Sequence, residues 1–261
     1  MASESSAPAP AAAFEPDPET YEALVDWPKR LANETPFYQR QFQHVGARRV
    51  LDAACGTGRH ALLFHSWGLE VEGAELDSRM VEYCRARYGD RAGLSWVQRS
   101  FAEPCPAAGG FDAAICVGNS LALAPDRATA ARAVGNLVTA VRPGGVCIVQ
   151  VLNLWRLPEG PTAWQKCVLL PKPANQRILL KGVHRVGDYG FIDLLDLSLM
   201  GGELHSRTHA ARFLGLREGE LRAAATATGG TEVQCFGSFQ ETPYEATSSV
   251  DLILVCRRGP P

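Results

Sequence analysis

The chain has 261 residues, 46% of them hydrophobic, with 26 Lys and Arg against 28 Asp and Glu for a formal net charge of -2. That length supports one sizeable core with an elaboration and is short for two full domains. Near-balanced charge without a Lys/Arg block argues against a surface built to neutralise a phosphate backbone, so nucleic acid is not an expected partner.

Residues 1–18, rich in Ala, Pro, Ser and Glu, read as a disordered tail without the basic start and apolar stretch of a signal peptide. No later run is long and apolar enough for a membrane span, so no membrane partner is expected. Eight scattered cysteines form no C-x-x-C pair and no Cys/His cluster at metal-ligand spacing. Mostly buried free thiols, a reducing cytoplasm and no bound metal follow as expectations.

From Pro18 to Gln43 the residues Tyr21, Leu24, Val25, Leu31, Phe37, Tyr38 and Phe42 recur at roughly helical spacing, with Pro28 and Pro36 dividing them into two or three short helices. Strand one is Arg49 to Ala53. A helix from Arg59 ends at Gly68, and a second strand runs from Leu69 to Glu75. Asp77 or Ser78 caps the next helix, which stops near Gly89, and Leu94 to Gln98 is a short third strand. Phe111 to Gly118 reads as a buried strand. Val134, Leu137, Val138 and Val141 then mark a helix ended by the turn Arg142-Pro143-Gly144-Gly145, and Val146 to Leu152 is the fifth strand. Alternation of this kind implies a doubly wound parallel α/β sheet covered on both faces.

Beyond Asn153 the period changes. Arg177 to Val186, Gly190 to Leu199 and Glu203 to Phe213 look like strands, with Gly201-Gly202 as a hairpin turn. The expected organisation is a core over 19–153 and 214–258 with an N-terminal helical cap, and an antiparallel β insertion over 154–213. A helix from Leu216 to Ala227 and strands Thr231 to Phe239 and Val250 to Arg257 close the chain.

The stretch Val50-Leu51-Asp52-Ala53-Ala54-Cys55-Gly56-Thr57-Gly58-Arg59-His60-Ala61 is a strand, a glycine turn and a helix start. Backbone N–H groups and the positive end of the helix dipole converge there, which suits a ligand carrying a carboxylate, phosphate or ribose. With Glu75 seventeen residues after Gly58, the pattern fits a nicotinamide turn almost as well as a nucleoside one. Asp52 separates the two, because a carboxylate would repel a pyrophosphate but would welcome the ammonium and sulfonium of S-adenosylmethionine.

With Val71-Glu72-Gly73-Ala74-Glu75, Phe111-Asp112-Ala113-Ala114-Ile115-Cys116 and Val141-Arg142-Pro143-Gly144-Gly145 following in order, the chain resembles the class I S-adenosylmethionine-dependent methyltransferases. Val117-Gly118-Asn119-Ser120-Leu121 and the approach Trp27 to Phe37 are similar to the glycine and sarcosine N-methyltransferase branch. The resemblance implies a seven-stranded Rossmann-like sheet ordered 3-2-1-4-5-7-6 with strand seven antiparallel, and an insertion after strand five that roofs the active site. It implies that Arg30 bonds the cofactor's carboxylate and that Asp52, with the backbone at Ala54 and Gly56, holds its amino group. Gly58 completes the turn, Glu75 accepts both ribose hydroxyls, Leu76, Met80 and Val117 sandwich the adenine, and Ser100 and Phe101 lie at its edge. A surface i, i+4 pair with Asp26 or Glu34 is the alternative for Arg30.

Leu152 falls where glycine-type enzymes carry an arginine that clamps the substrate's carboxylate. An apolar or aromatic small molecule therefore fits better than glycine. Asn119 is the candidate for orienting the acceptor, with a bond to nearby backbone as its alternative. His205, Arg207 and His209 share one face of a strand; His205 is a base if that face turns inward and part of a solvated stripe if it does not. Trp155 and Trp164 either wall the substrate or pack the insertion. The expected activity is in-line methyl transfer to a small-molecule amine. O-methyl transfer, non-methyl chemistry such as aminopropyl transfer or cyclisation, and a non-catalytic cofactor-binding role stay open beside it. Nothing in the residues specifies an oligomeric state.

Overall fold

The computed structural model describes residues 16–107, 109–170 and 176–260. The expected tail over 1–18 lies outside the described residues up to position 15, and Pro18, placed in that tail, is instead the first residue of a helix. Helix α1 (Pro18–Leu24) is capped by Asp17, whose Oδ1 accepts the Thr20 N–H at 2.9 Å. Helix α2 (Trp27–His44) is continuous through Pro36, against the expectation of a break there. An interior proline costs about 3 kcal/mol, and here burial of Phe37, Tyr38 and Phe42 in the turns after it outweighs that cost.

The core alternates as expected through β1 (Arg49–Asp52), α3 (Arg59–Ser66), β2 (Glu70–Glu75), α4 (Ser78–Tyr88), β3 (Leu94–Gln98), β4 (Phe111–Cys116), α5 (Arg127–Ala140) and β5 (Val141–Leu152). Helix α6 (Glu218–Ala227) and strands β10 (Gly230–Phe236) and β11 (Asp251–Arg258) follow the insertion. The sheet is ordered β10-β11-β5-β4-β1-β2-β3, with β11 antiparallel to β5. This is the expected 3-2-1-4-5-7-6 arrangement, β11 being its seventh strand. Helices α5 and α6 cover one face through Leu137, Val138, Leu221 and Ala225, while Phe37, Phe64 and Val81 of α2, α3 and α4 cover the other. The segment Arg142 to Gly145, read as a turn ahead of β5, belongs to that strand. Pairing with β4 slips there between Phe111↔Val141 and Ala113↔Val146, and Gly144 (φ +74°) takes the left-handed conformation that the irregularity demands.

The segment between β5 and α6 forms a four-stranded antiparallel sheet, β6 (Ala163–Leu170), β7 (Gln176–Val186), β8 (Tyr189–Met200) and β9 (Glu203–Leu214). Strand β6 was not expected. Its sequence shows no alternation because most of it is exposed on both faces. Facing residues place Leu179, Lys181 and Val183 of β7 on one side with Asp196, Leu194 and Ile192 of β8. On that side Leu179 and Leu194 pack on Leu24 of α1, and Val183, Ile192 and Phe213 join the main core. Arg177 ties the same sheet to α1 through Thr20 Oγ1 at 3.0 Å.

Candidate active site

Strand β1 ends at Asp52, and the chain turns back through Gly56 (φ +52°) and Gly58 (φ +78°) into α3. A Cβ on Gly58 would lie 2.6 Å from the Trp96 ring, so only glycine brings the turn this close to the sheet. At Gly56 a Cβ would meet nothing nearer than the Tyr21 ring at 3.8 Å, which leaves open space beside the turn.

Asp52 borders this space. Its carboxylate is buried, 1% exposed, and among the described residues neither oxygen has a well-formed hydrogen bond, the nearby Ala54 N–H only easing its ionisation. Burial, reinforced by the negative charge of Glu75, pushes its pKa up to about 7. A buried carboxylate without a well-formed hydrogen bond is an expensive arrangement for a fold to keep. Glu75 is held differently: Oε2 accepts the Gly56 N–H at 2.9 Å, while Oε1 accepts those of Leu76 at 2.7 Å and Asp77 at 3.1 Å. A carboxylate offers about four acceptor positions, so receiving two ribose hydroxyls would require releasing one of these N–H groups.

Arg30 satisfies both of its readings with different nitrogens. Nε donates to Glu34 Oε1 at 2.8 Å, the i, i+4 pair, while the terminal nitrogens point at the β4 turn, 3.5 and 3.7 Å from where a Gly118 Cβ would stand. Glu34 is itself buried, and its Oε2 takes the Tyr38 hydroxyl at 3.1 Å and lies 2.7 Å from His60 Nε2. Burial opposes ionisation of Glu34, but the His60 and Arg30 contacts prevail and hold its pKa below the usual value. His60 thus belongs to a buried support that fixes the Arg30 head.

Around the expected adenine slot, Leu76 is 63% exposed at the rim, whereas Met80 and Val117 are covered, Val117 within the core under α3. The Ser100 hydroxyl accepts the Ala102 N–H at 3.1 Å, and Phe101 packs half-buried against the α5 side with its carbonyl bonded to Asn136.

The two catalytic expectations change. Asn119 sits in the left-handed region (φ +69°), and its Oδ1 accepts the Leu152 N–H at 2.9 Å, so its acceptor atom braces β5 against the β4 turn. That is the backbone role, and it engages one of the two acceptor positions of Oδ1. His205 lies opposite Ser198 near the Gly201-Gly202 hairpin, exposed and without a hydrogen bond among the described residues. It belongs to a solvated stripe, and its assignment as a base is withdrawn because nothing around it excludes water. Trp155 packs the insertion, donating to the Leu216 carbonyl at 3.1 Å under the Arg217 guanidinium, and Trp164 is exposed.

Four residues that the sequence reading passed over converge here. The Tyr21 hydroxyl from α1 comes within 3.9 Å of the Gly118 Cβ position, beside Arg30. Gln150 of β5 accepts the Gly118 N–H at 2.7 Å and donates to Asp251 Oδ1 at 2.7 Å. The Lys181 side chain of β7 makes no hydrogen bond among the described residues, and the residue lies directly opposite Lys166. Burial lowers its pKa, and the positive charges of Lys166 and Arg30 add to the effect. A lone amide inside Val146-Cys147-Ile148-Val149-Gln150-Val151 and a lone cation inside Ile178-Leu179-Leu180-Lys181 are signals that an apolar-run reading discards.

Comparison with known proteins points to the same fold. A family described as a methyltransferase domain matches residues 50–145. The glycine N-methyltransferase of Oryctolagus cuniculus is 34% identical over 126 residues, covering 42% of each chain. The glycine/sarcosine N-methyltransferase of Parasynechococcus marenigrum is 30% identical over 151 residues, 55% of this chain and 51% of that one. The chain thus spans about half, or less, of the length of the curated relatives it matches. Among solved structures, the sugar N-methyltransferase KedS8 from a Streptoalloteichus species superposes with a TM-score of 0.78 at 22% identity, covering 100% of this chain and 99% of that one. The amino pentose methyltransferase CalS10 from Micromonospora echinaspora, solved with S-adenosylmethionine bound, gives 0.72 at 19% identity over 96% and 99%.

Proposed function

We propose that this chain, which belongs to the class I S-adenosylmethionine-dependent methyltransferases by its matched domain and its fold, transfers a methyl group to the nitrogen of a small-molecule amine. The observation that carries the cofactor reading is Asp52: a buried carboxylate with no well-formed hydrogen bond among the described residues, at the mouth of a glycine turn, is the receptor for a ligand ammonium. Asp52 takes the amino group, Arg30 receives the carboxylate with its terminal nitrogens while Glu34 fixes its Nε, and Glu75 takes the ribose. When bound, S-adenosylmethionine supplies a methyl carbon made electrophilic by its sulfonium.

The protein's part is alignment and exclusion of water. Tyr21 and Arg30 from the helical cap stand over the end of β4, and the inserted sheet, packed on α1 through Leu179 and Leu194, carries Lys181 within electrostatic reach of Arg30, which supports a site covered by the cap and the insertion together. Amine rather than hydroxyl transfer is favoured by the relatives named above and by the withdrawal of His205 as a base, since a neutral amine needs little help to lose a proton. Calorimetry should give saturable binding of S-adenosylmethionine and S-adenosylhomocysteine, and incubation with amines should leave S-adenosylhomocysteine as the sulfur product. Methylthioadenosine in its place would replace this reading with aminopropyl transfer or cyclisation, and absence of binding at millimolar ligand would remove it.

A further inference from the structure

The edge of the sheet that presents Glu75 and Asp52 carries a third acid beyond the end of β4. Asp251 opens β11 and pairs with Leu152 of β5. In the order β1-β4-β5-β11 it stands three strands from Asp52, about 14 Å at the usual strand spacing. Its Oδ1 accepts Gln150 Nε2 at 2.7 Å, and Gln150 Oε1 in turn accepts the N–H groups of Gly118 at 2.7 Å and Asn119 at 3.3 Å. Oδ2 bonds no described residue. Across the same β4 turn lie the terminal nitrogens of Arg30 and the Tyr21 hydroxyl.

For stability alone this arrangement is poor. A mostly buried carboxylate at the end of an apolar strand pair, with a single hydrogen bond from Gln150, loses more solvation than that bond returns, and an apolar pair would serve the sheet better. Asp251 also stands on the β5–β11 side of β4, the opposite side from Asp52 and Glu75.

We propose that Asp251 is the catalytic carboxylate that receives the acceptor amine: Oδ2 accepts a hydrogen bond from the substrate's N–H, while Gln150 fixes Oδ1 and registers it to the β4 turn. This rests on the N-methyl-transfer reading. The amine lone pair forms the new bond to the methyl carbon, the carbon–sulfur pair stays on sulfur, and the positive charge lost by the sulfonium appears on nitrogen. Asp251 neutralises that charge and takes the N–H proton when the product leaves as the free amine. Burial pushes the Asp251 pKa up to about 6. The charged groups facing it are Glu34 and Arg30 from α2 and Arg156 from the turn after β5, of which Glu34 raises it and the two arginines lower it.

The test uses the whole protein saturated with S-adenosylhomocysteine and titrated calorimetrically with cyclohexylamine and cyclohexanol, together with methyl-transfer kinetics on the amine. Wild type should prefer the amine at least tenfold, and the preference should weaken below pH 6. Asp251→Asn should abolish both the preference and its pH dependence, and lower kcat/KM about 100-fold. It should keep S-adenosylhomocysteine affinity within twofold and the urea midpoint at or above wild type. Asp251→Glu should recover part of the preference. The assignment is overturned if Asp251→Asn keeps the preference, if it weakens S-adenosylhomocysteine equally, or if wild type does not prefer the amine. A wild type that prefers the amine but yields no methylated product would overturn the N-methyl-transfer reading instead.

Discussion

At the scale of single residues, Asp52 sets the strongest test of the site because its burial has opposite consequences for stability and for binding. Its carboxyl is raised from 3.8 in the unfolded chain to about 7 in the fold. The native state therefore holds the proton more tightly, and the contribution of this group to stability is greatest below pH 3.8 and is lost as pH rises through 7. Asp52→Asn should stabilise the ligand-free protein at pH 7.5 by on the order of 1–4 kcal/mol in urea denaturation, with about a third of that effect at pH 5 and little below about pH 4. The same change should weaken S-adenosylmethionine at least tenfold. A variant that lost stability at pH 7.5 would show that the fold satisfies Asp52 by itself.

At the scale of elements, α2 and the inserted sheet carry Arg30 and Lys181, the groups proposed to face the bound ligands. Arg30 depends on a relay within and beside α2, because Glu34 holds its Nε and is held by Tyr38 and His60. Glu34→Gln leaves His60 and Arg30 less firmly placed, so S-adenosylhomocysteine affinity should fall about tenfold by calorimetry while far-ultraviolet circular dichroism stays that of wild type. In the inserted sheet, Lys166 and Lys181 face each other across β6 and β7, a like-charge pair that costs a few tenths of a kcal/mol or more. Lys166→Glu should therefore raise the urea midpoint, and an unchanged or lower midpoint would mean that another group already neutralises Lys181. Leu179→Ala, at the contact with Leu24, should cost about 2–4 kcal/mol and loosen the sheet from α1.

At the scale of the whole molecule, the parallel core was readable because its signals are local. Glycines at positive φ mark the turns at Gly56, Gly58, Gly89 and Gly118, and apolar runs bounded by them mark the strands. Pro36 misled because tertiary burial overrode a local rule. Strand β6 was missed because an edge strand exposed on both faces has no hydrophobic alternation to read. Gln150, Asp251 and Lys181 escaped for a different reason. Each is one polar residue in an apolar run, and its partner or target is brought in by another strand or helix, so sequence spacing carries no trace of it.

The central claim is that a ligand's amino group completes Asp52. Calorimetric titration with S-adenosylhomocysteine and with its analogue lacking the α-amino group, on wild type and Asp52→Asn, isolates that one contact as a double cycle. The account predicts that removing the amino group costs wild type about 100-fold in Kd and costs Asp52→Asn less than threefold. Equal losses in both proteins would show that the amino group binds elsewhere and would contradict the site.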